Sequence, residues 1–410
     1  MPRQRLAATV IAAVALGFLA VYSAMWITVS PAHIGASDFT ATYVGGTLLR
    51  EGHGAGIYDE PLQAPLHAAL IAPAQGGNLA FVYPPPAAVL ALPFTLLPLS
   101  AAYRAYQAAQ LLMLALAVLI VARAAPWPLS LSRSSIPLVA ALVSIAGTGT
   151  LALGLVGQWD GLGALGLAGA YALWRRDARF AGGAVLAMSA AIAKPHLALG
   201  LAALLIGWRE RRVLAGAAAG VAAMLVVSLA AVGPAGLAAF LASTQVDASR
   251  WPLASMLGFT GLTGSWLGDG PAAQAIAALA SVTALGCCVL LGRGLARDRA
   301  GLEVRLAAAT LLSLVASPHL LGHDLVLLAP MLVGVLAWSA RRDGTAAWPG
   351  PHSRAVLLGW ALLALAAAAD IGSQQLAPPG RLVPWALIAL AALLAWQLRP
   401  RPARLVAAPT

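Results

Sequence analysis

Residues 197–232 read LALGLAALLIGW-RERR-VLAGAAAGVAAMLVVSLAAV: an apolar run, four charged residues at 209–212, then a second apolar run. The second run is long enough to cross a bilayer, which takes about 20 apolar residues. A basic break between two such runs is what a loop joining two spans carries. The pattern repeats outward in both directions, with apolar runs near 6–28, 101–122, 136–156, 160–174, 180–193, 197–208, 213–232, 271–292, 304–316, 324–340, 355–369 and 384–398. This spacing predicts an all-α polytopic membrane protein, a bundle of about 12 transmembrane helices forming one integral domain over 1–410. Several runs fall short of full length, as tilted or partly buried helices do.

The composition agrees. Hydrophobic residues make up 60% of the 410 and charged residues 10%, with a mean hydropathy of +0.84. A soluble domain carries roughly 25% charged residues, so a water-soluble globule is excluded. Disorder, a coiled coil and a disulfide scaffold need charge, heptads or cysteines that this chain lacks. Cys287 and Cys288 are neighbours in an apolar run and pack as small hydrophobes.

The net charge of +11 sits in loops and reads as topology rather than as nucleic-acid binding. Arg3 and Arg5 put the N-terminus in the cytoplasm, and the C-terminal arginines put the other end there too. On that assignment about 20 of the basic residues fall inside and about 5 outside, against about 5 and 9 of the acids. Residues 29–100 then form a long first extracytoplasmic loop, and 233–270 a second large one. The first contains 84–98, apolar but short and carrying Pro84, Pro85, Pro86, Pro93 and Pro98, which reads as a re-entrant or interfacial segment. The bias to Ala, Arg and Gly with one lysine suits a GC-rich bacterial gene, hence a multi-pass protein of the bacterial inner membrane.

Ionisable groups at membrane depth are expensive without a partner or a job, and here they gather at the outer face. They include Asp38, Asp160, Lys194, Asp247, Arg250 and Asp324, together with His33, His53, His67, His196, His319 and His323. Asp38, soon after the first span, is either a general base or part of a helix cap with Ser37. Tyr58-Asp59-Glu60-Pro61 reads as a turn and helix start. Lys194, the only lysine among 24 arginines, either meets a phosphate as a point charge or snorkels from a span end. Gln158-Trp159-Asp160 is an outer turn with an interfacial tryptophan or a binding element. Arg250 with Trp251 either grips a phosphate and stacks on a sugar, or Arg250 pairs with Asp247. His319 and His323 have zinc-like spacing, but Gly322 and Pro318 argue against a regular helix there, and a histidine near a phosphate is the better functional idea. No Walker loop, GxGxxG, GxSxG or CxxC occurs. A nucleotide cofactor has nothing to hold it, so a donor on the outer face has to come from the lipid phase.

Asp38-Phe39 followed by Tyr43, Gly45, Gly52 and Ile57-Tyr58-Asp59 resembles the opening of glycosyltransferase family 87. In order after it come Phe81-Val82-Tyr83-Pro84-Pro85, Leu97-Pro98, Gly157-Gln158, Lys194-Pro195 and Ser317-Pro318 with His323. Leu321 stands where the family has a tryptophan. The resemblance implies a GT-C type membrane fold and an inverting transfer of a sugar, typically mannose, from a polyprenyl phosphate to a hydroxyl of a glycolipid or polysaccharide. Asp38 is the implied base. Lys194, His323, His196 and Arg250 are the candidates for the donor phosphate, and Tyr43, Tyr83, Gln158, Asp160 and His319 those for substrate. No cofactor and no metal ligand set is implied, although a loosely held divalent cation is compatible with the pattern. The partners are membrane lipids, the lipid-linked donor and the acceptor. The competing class is a transporter or flippase for a lipid-linked substrate, which would move its cargo without forming a covalent product; an envelope scaffold is a third.

Overall fold

In the computed structural model, residues 2–72, 79–344, 348–372 and 381–398 are described. The helices run α1 (Pro2–Ile27), α2 (Pro31–Gly35), α3 (Asp38–Arg50), α4 (Glu60–Ile71), α5 (Pro85–Ala91), α6 (Leu99–Ala124) and α7 (Leu129–Ser132). Next come α8 (Ile136–Ile145), α9 (Thr148–Val156), α10 (Asp160–Arg175), α11 (Arg179–Ile192), α12 (Leu199–Trp208) and α13 (Arg211–Arg250). The chain continues through α14 (Phe259–Leu267), α15 (Pro271–Arg297), α16 (Leu302–Ala316), α17 (Leu328–Asp343), α18 (Pro351–Gly372) and α19 (Leu382–Gln397). No strand occurs among the described residues. A helix satisfies every backbone group within its own segment, which is what hydrocarbon demands.

Each of the twelve apolar runs coincides with helix, but length and hydropathy alone do not establish twelve crossings. Among the described residues, six helical stretches are long and apolar enough to cross a membrane, and a seventh if α8 and α9, bent by 54° at their junction, count as one. The remaining apolar runs form shorter helices, of which α10, with 16 residues, and α12, with 10, are examples. α17 is buried on nearly all sides, whereas α1 is exposed along most of its length.

The two expected outer loops are largely helical. Between 29 and 100 lie α2 to α5, and α3 is buried from Phe39 to Leu48. The proline-rich segment forms α5 and a short 3-10 turn, Leu92–Leu96, packed against α3. Between 233 and 270, α13 carries on to Arg250 after changing direction at Gly233, whose φ of 68° precedes Pro234. Proline removes a backbone donor there and bends the helix.

Small residues let the helices close. A Cβ at Gly183 or Gly216 would strike the Val213 or Phe180 carbonyl between α11 and α13. Gly207 and Gly292 do the same for α12 and α15, against the Val289 and Leu204 carbonyls. In a bilayer, where hydrophobicity does not drive helix association, such close approach supplies the packing energy.

The bundle has two chemically distinct ends. At one, Arg179 pairs with Glu210 and, at 2.8 Å, with Asp177, while Arg299 reaches the same two carboxylates at 3.4 and 3.3 Å. Arg175 lies 3.7 Å from Glu303, whose Oε1 accepts from Tyr171 Oη at 2.8 Å. α10 starts at Asp160 and ends at Arg175, about 22 Å away at 1.5 Å per residue. Asp160 therefore belongs to the opposite end.

Candidate active site

That opposite end collects polar residues from five separate stretches of chain. Asp38 is the first residue of α3. Ser37 occupies the N-cap position without capping: its hydroxyl donates to the Ile34 carbonyl at 2.7 Å. The Asp38 carboxylate instead accepts a hydrogen bond from the Gln158 amide, 120 residues along the chain.

Gly157 makes that meeting possible. It ends α9 with φ 90° and ψ 48°, a left-handed conformation that favours glycine. A Cβ there would lie 2.5 Å from the Cβ of Phe39 and 2.8 Å from its backbone nitrogen. The turn is thus pressed onto the first turn of α3. Beneath it the Phe39 ring lies 4.9 Å from Tyr106, which meets Trp159 edge-on at 5.0 Å. All three side chains are buried and hold the turn and the helix start together.

Beside this turn is a buried cluster of four ionisable groups. Lys194, in the turn after α11, donates to Asp324 Oδ1 at 2.6 Å and lies 3.8 Å from Asp160 Oδ2. His323 Nδ1 is 3.0 Å from Asp160 Oδ2, 3.1 Å from Asp324 Oδ1 and 3.3 Å from the ammonium. The other Asp324 oxygen accepts from the Leu321 backbone at 2.6 Å. None of the four residues is more than 6% exposed. Burial alone would lower the Lys194 pKa, but the Asp160 and Asp324 carboxylates outweigh it and hold the ammonium above its ordinary 10.5. Burial first, then the charge of Asp38, pushes the Tyr83 phenol well above its ordinary 10.

Several buried polar atoms in this region have no hydrogen-bond partner: Gln158 Oε1, Asp160 Oδ1, His323 Nε2, Tyr106 Oη, Trp159 Nε1 and His196 Nε2. Each such group costs about 1–3 kcal/mol if nothing binds it. A small apolar crevice between α10, α11 and α12 is lined by Asp160, Leu167, Leu186, Lys194 and Leu201.

The fold thus draws Asp38, Tyr83, Gln158, Asp160, Lys194 and His323 into one neighbourhood. His196 and His319 flank it, with their rings perpendicular at 6.3 Å. Tyr43 is not drawn in: its hydroxyl donates to the Leu97 carbonyl at 2.9 Å and its ring packs on Phe39, so it ties α3 to the chain before α6. The side chain of Arg250, with those of Asp247, Arg3 and Arg5, lies outside the described residues, as do the C-terminal arginines. Lys194, read from sequence as a phosphate partner or a snorkelling side chain, already faces two carboxylates. Asp324, Tyr106 and Trp159 are the members that motif reasoning underrated. Asp324 was legible as the acid next to His323, whereas Tyr106 sits in an apolar run with no local sign of a role.

The model of glycosyltransferase family 87 matches residues 81–318, more than half of the chain. No curated protein and no solved structure matches.

Proposed function

Because the chain belongs to glycosyltransferase family 87 and is a membrane glycosyltransferase, we propose that it transfers a sugar, mannose first among candidates, from a polyprenyl phosphate to an acceptor hydroxyl. The acceptor is a glycolipid or polysaccharide. Family membership removes the reason for preferring a transporter. The arginine-rich end faces the cytoplasm of a bacterial cell under the positive-inside rule, and the site faces outward, across the inner membrane.

The observation that carries this reading is the meeting of Asp38 with Gln158 beside the Asp160–Lys194–His323–Asp324 cluster. Asp38 takes the proton as the acceptor oxygen attacks the anomeric carbon. The bond from that carbon to the phosphate oxygen breaks on the opposite face, and the polyprenyl phosphate leaves with the electron pair, inverting the centre. An ammonium has three N–H donors, so Lys194 keeps capacity for the leaving phosphate beyond its bond to Asp324, with His323 and His196 close by. The unpartnered atoms of Tyr106, Gln158, Trp159 and Asp160 offer both donors and acceptors to sugar hydroxyls.

The test is purified protein in detergent with radiolabelled polyprenyl-phosphate-mannose and extracted membrane lipids, read as new labelled glycolipid. Asp38→Asn keeps an acceptor for the Gln158 amide, so its melting temperature stays at the wild-type value while transfer falls by roughly 10²–10⁴-fold. Wild-type turnover in that variant removes Asp38 as the base. No product from mannose, arabinofuranose or glucose donors removes the polyprenyl-phosphate assignment.

A further inference from the structure

The ionisable cluster has the composition of a metal site. Asp160, His323 and Asp324 each offer one ligand atom, and the three atoms lie within 4.8 Å of one another. One imidazole with two carboxylates is a donor set that first-row divalent ions accept. All three residues are at least nine-tenths buried, and Asp160 keeps its second oxygen, Oδ1, without a partner. Two carboxylates buried this close together need a positive charge beside them.

The space among these atoms is filled by the chain itself. Lys194 Nζ lies 2.6 Å from Asp324 Oδ1, 3.3 Å from His323 Nδ1 and 3.8 Å from Asp160 Oδ2. It reaches all three from the turn between α11 and the 3-10 turn Pro195–Ala198. An ammonium and a bound divalent ion cannot occupy this volume together, and their repulsion at such separations in a buried site would be large.

We propose that Lys194 is the resident cation of this site: its ammonium takes the position that a divalent ion would hold among Asp160, His323 and Asp324. The intact protein then binds no divalent ion there, and removing the lysine charge exposes a latent site for one. On the function proposed above, the positive charge beside the leaving phosphate is protein-borne. The ion-binding consequence stands without that reading, because it is measured without turnover.

The experiment uses full-length protein in detergent, stripped with EDTA and titrated with Mn²⁺, with bound ion read by electron paramagnetic resonance and by the melting temperature. Wild type should bind no ion at the site, and its melting temperature should not respond to Mn²⁺. Lys194→Met should bind about one Mn²⁺ per chain, as one vacated position with three protein ligands implies, and its melting temperature should rise with Mn²⁺. Lys194→Met with Asp324→Asn should lose that binding. A Lys194→Met protein recovered only from Mn²⁺-supplemented membranes gives the same answer, read as yield. Wild-type binding that disappears in Asp324→Asn overturns the proposal. So does a Lys194→Met protein that folds yet binds no ion, or one that cannot be recovered even with Mn²⁺ present. Failure of the glycosyl-transfer assay changes none of these readouts, so the two readings fail separately.

Discussion

Replacing Gly157 with alanine tests how the fold builds the site from two distant segments. Two costs apply. The residue sits at φ 90° and ψ 48°, where a Cβ costs roughly 1–2 kcal/mol. The added methyl would also stand 2.5 Å from Phe39 Cβ, 2.8 Å from its backbone nitrogen and 3.0 Å from its Cα. None of these atoms is the end of a flexible side chain, and Phe39 is fully buried against Tyr106. Relieving such an overlap means moving backbone, which adds about 1–3 kcal/mol. The sum is about 2–5 kcal/mol of stability. The movement that relieves the clash separates the turn from α3, and with it Gln158 from Asp38. A displacement near 1 Å at a reacting group can cost on the order of 100-fold in rate. Thermal melting in detergent and the transfer assay read the two effects. Gly154→Ala is the control: Gly154 lies on the preceding helix with no atom within 4 Å of its added Cβ, so this change should leave both readouts at wild-type values. Gly157→Ala with wild-type melting and wild-type transfer would show that the turn does not press on α3.

Tyr171→Phe removes the donor to buried Glu303 at the arginine-rich end and should cost about 1–3 kcal/mol in unfolding measurements. That end is about 22 Å from Asp160, so transfer per folded molecule should not change; a rate loss without a stability loss would contradict the separation of the two ends. The pH dependence follows from the raised pKa of Lys194. A group whose pKa is raised on folding contributes fully below its unfolded value, about 10.5, and loses that contribution as pH rises through the higher folded value. Activity and melting temperature should therefore show no Lys194-dependent decline below pH 10.5. Against its burial, Asp324 and Asp160 hold His323 up to about 9, so the comparison is made in a His323→Gln background: an alkaline decline in melting temperature centred near pH 9 there that Lys194→Met abolishes would refute the pairing with Asp160 and Asp324.

Much of the fold was legible because the bilayer imposes its requirement on composition. Each apolar run from 6–28 to 384–398 coincides with helix, since a segment in hydrocarbon must bond its own backbone. The length of each span was less legible. α10, α11 and α12 are short, and what makes a short helix acceptable is the protein packed around it. The stretch from 29 to 100 looked like a polar loop because its average polarity conceals where Phe39, Tyr43 and Phe81 find partners. Gly45, whose added Cβ would strike the Phe81 ring, shows how tightly that piece is folded.

The candidate site divides along the same line. Asp38, Gln158, Asp160, Lys194 and His323 were each visible in the sequence as polar groups where polar groups are costly, and as parts of ordered motifs. Their use was not. The sequence by itself determined a helical membrane protein with its basic residues biased to one side, because hydrophobic length and charge placement are properties of short segments. Only the tertiary structure decided that Gln158 meets Asp38, that Tyr43 spends its hydroxyl on Leu97, and that Lys194 already faces two carboxylates. Those outcomes depend on helices approaching one another at glycine contacts, and the energy of a buried charge depends on which neighbours that approach delivers.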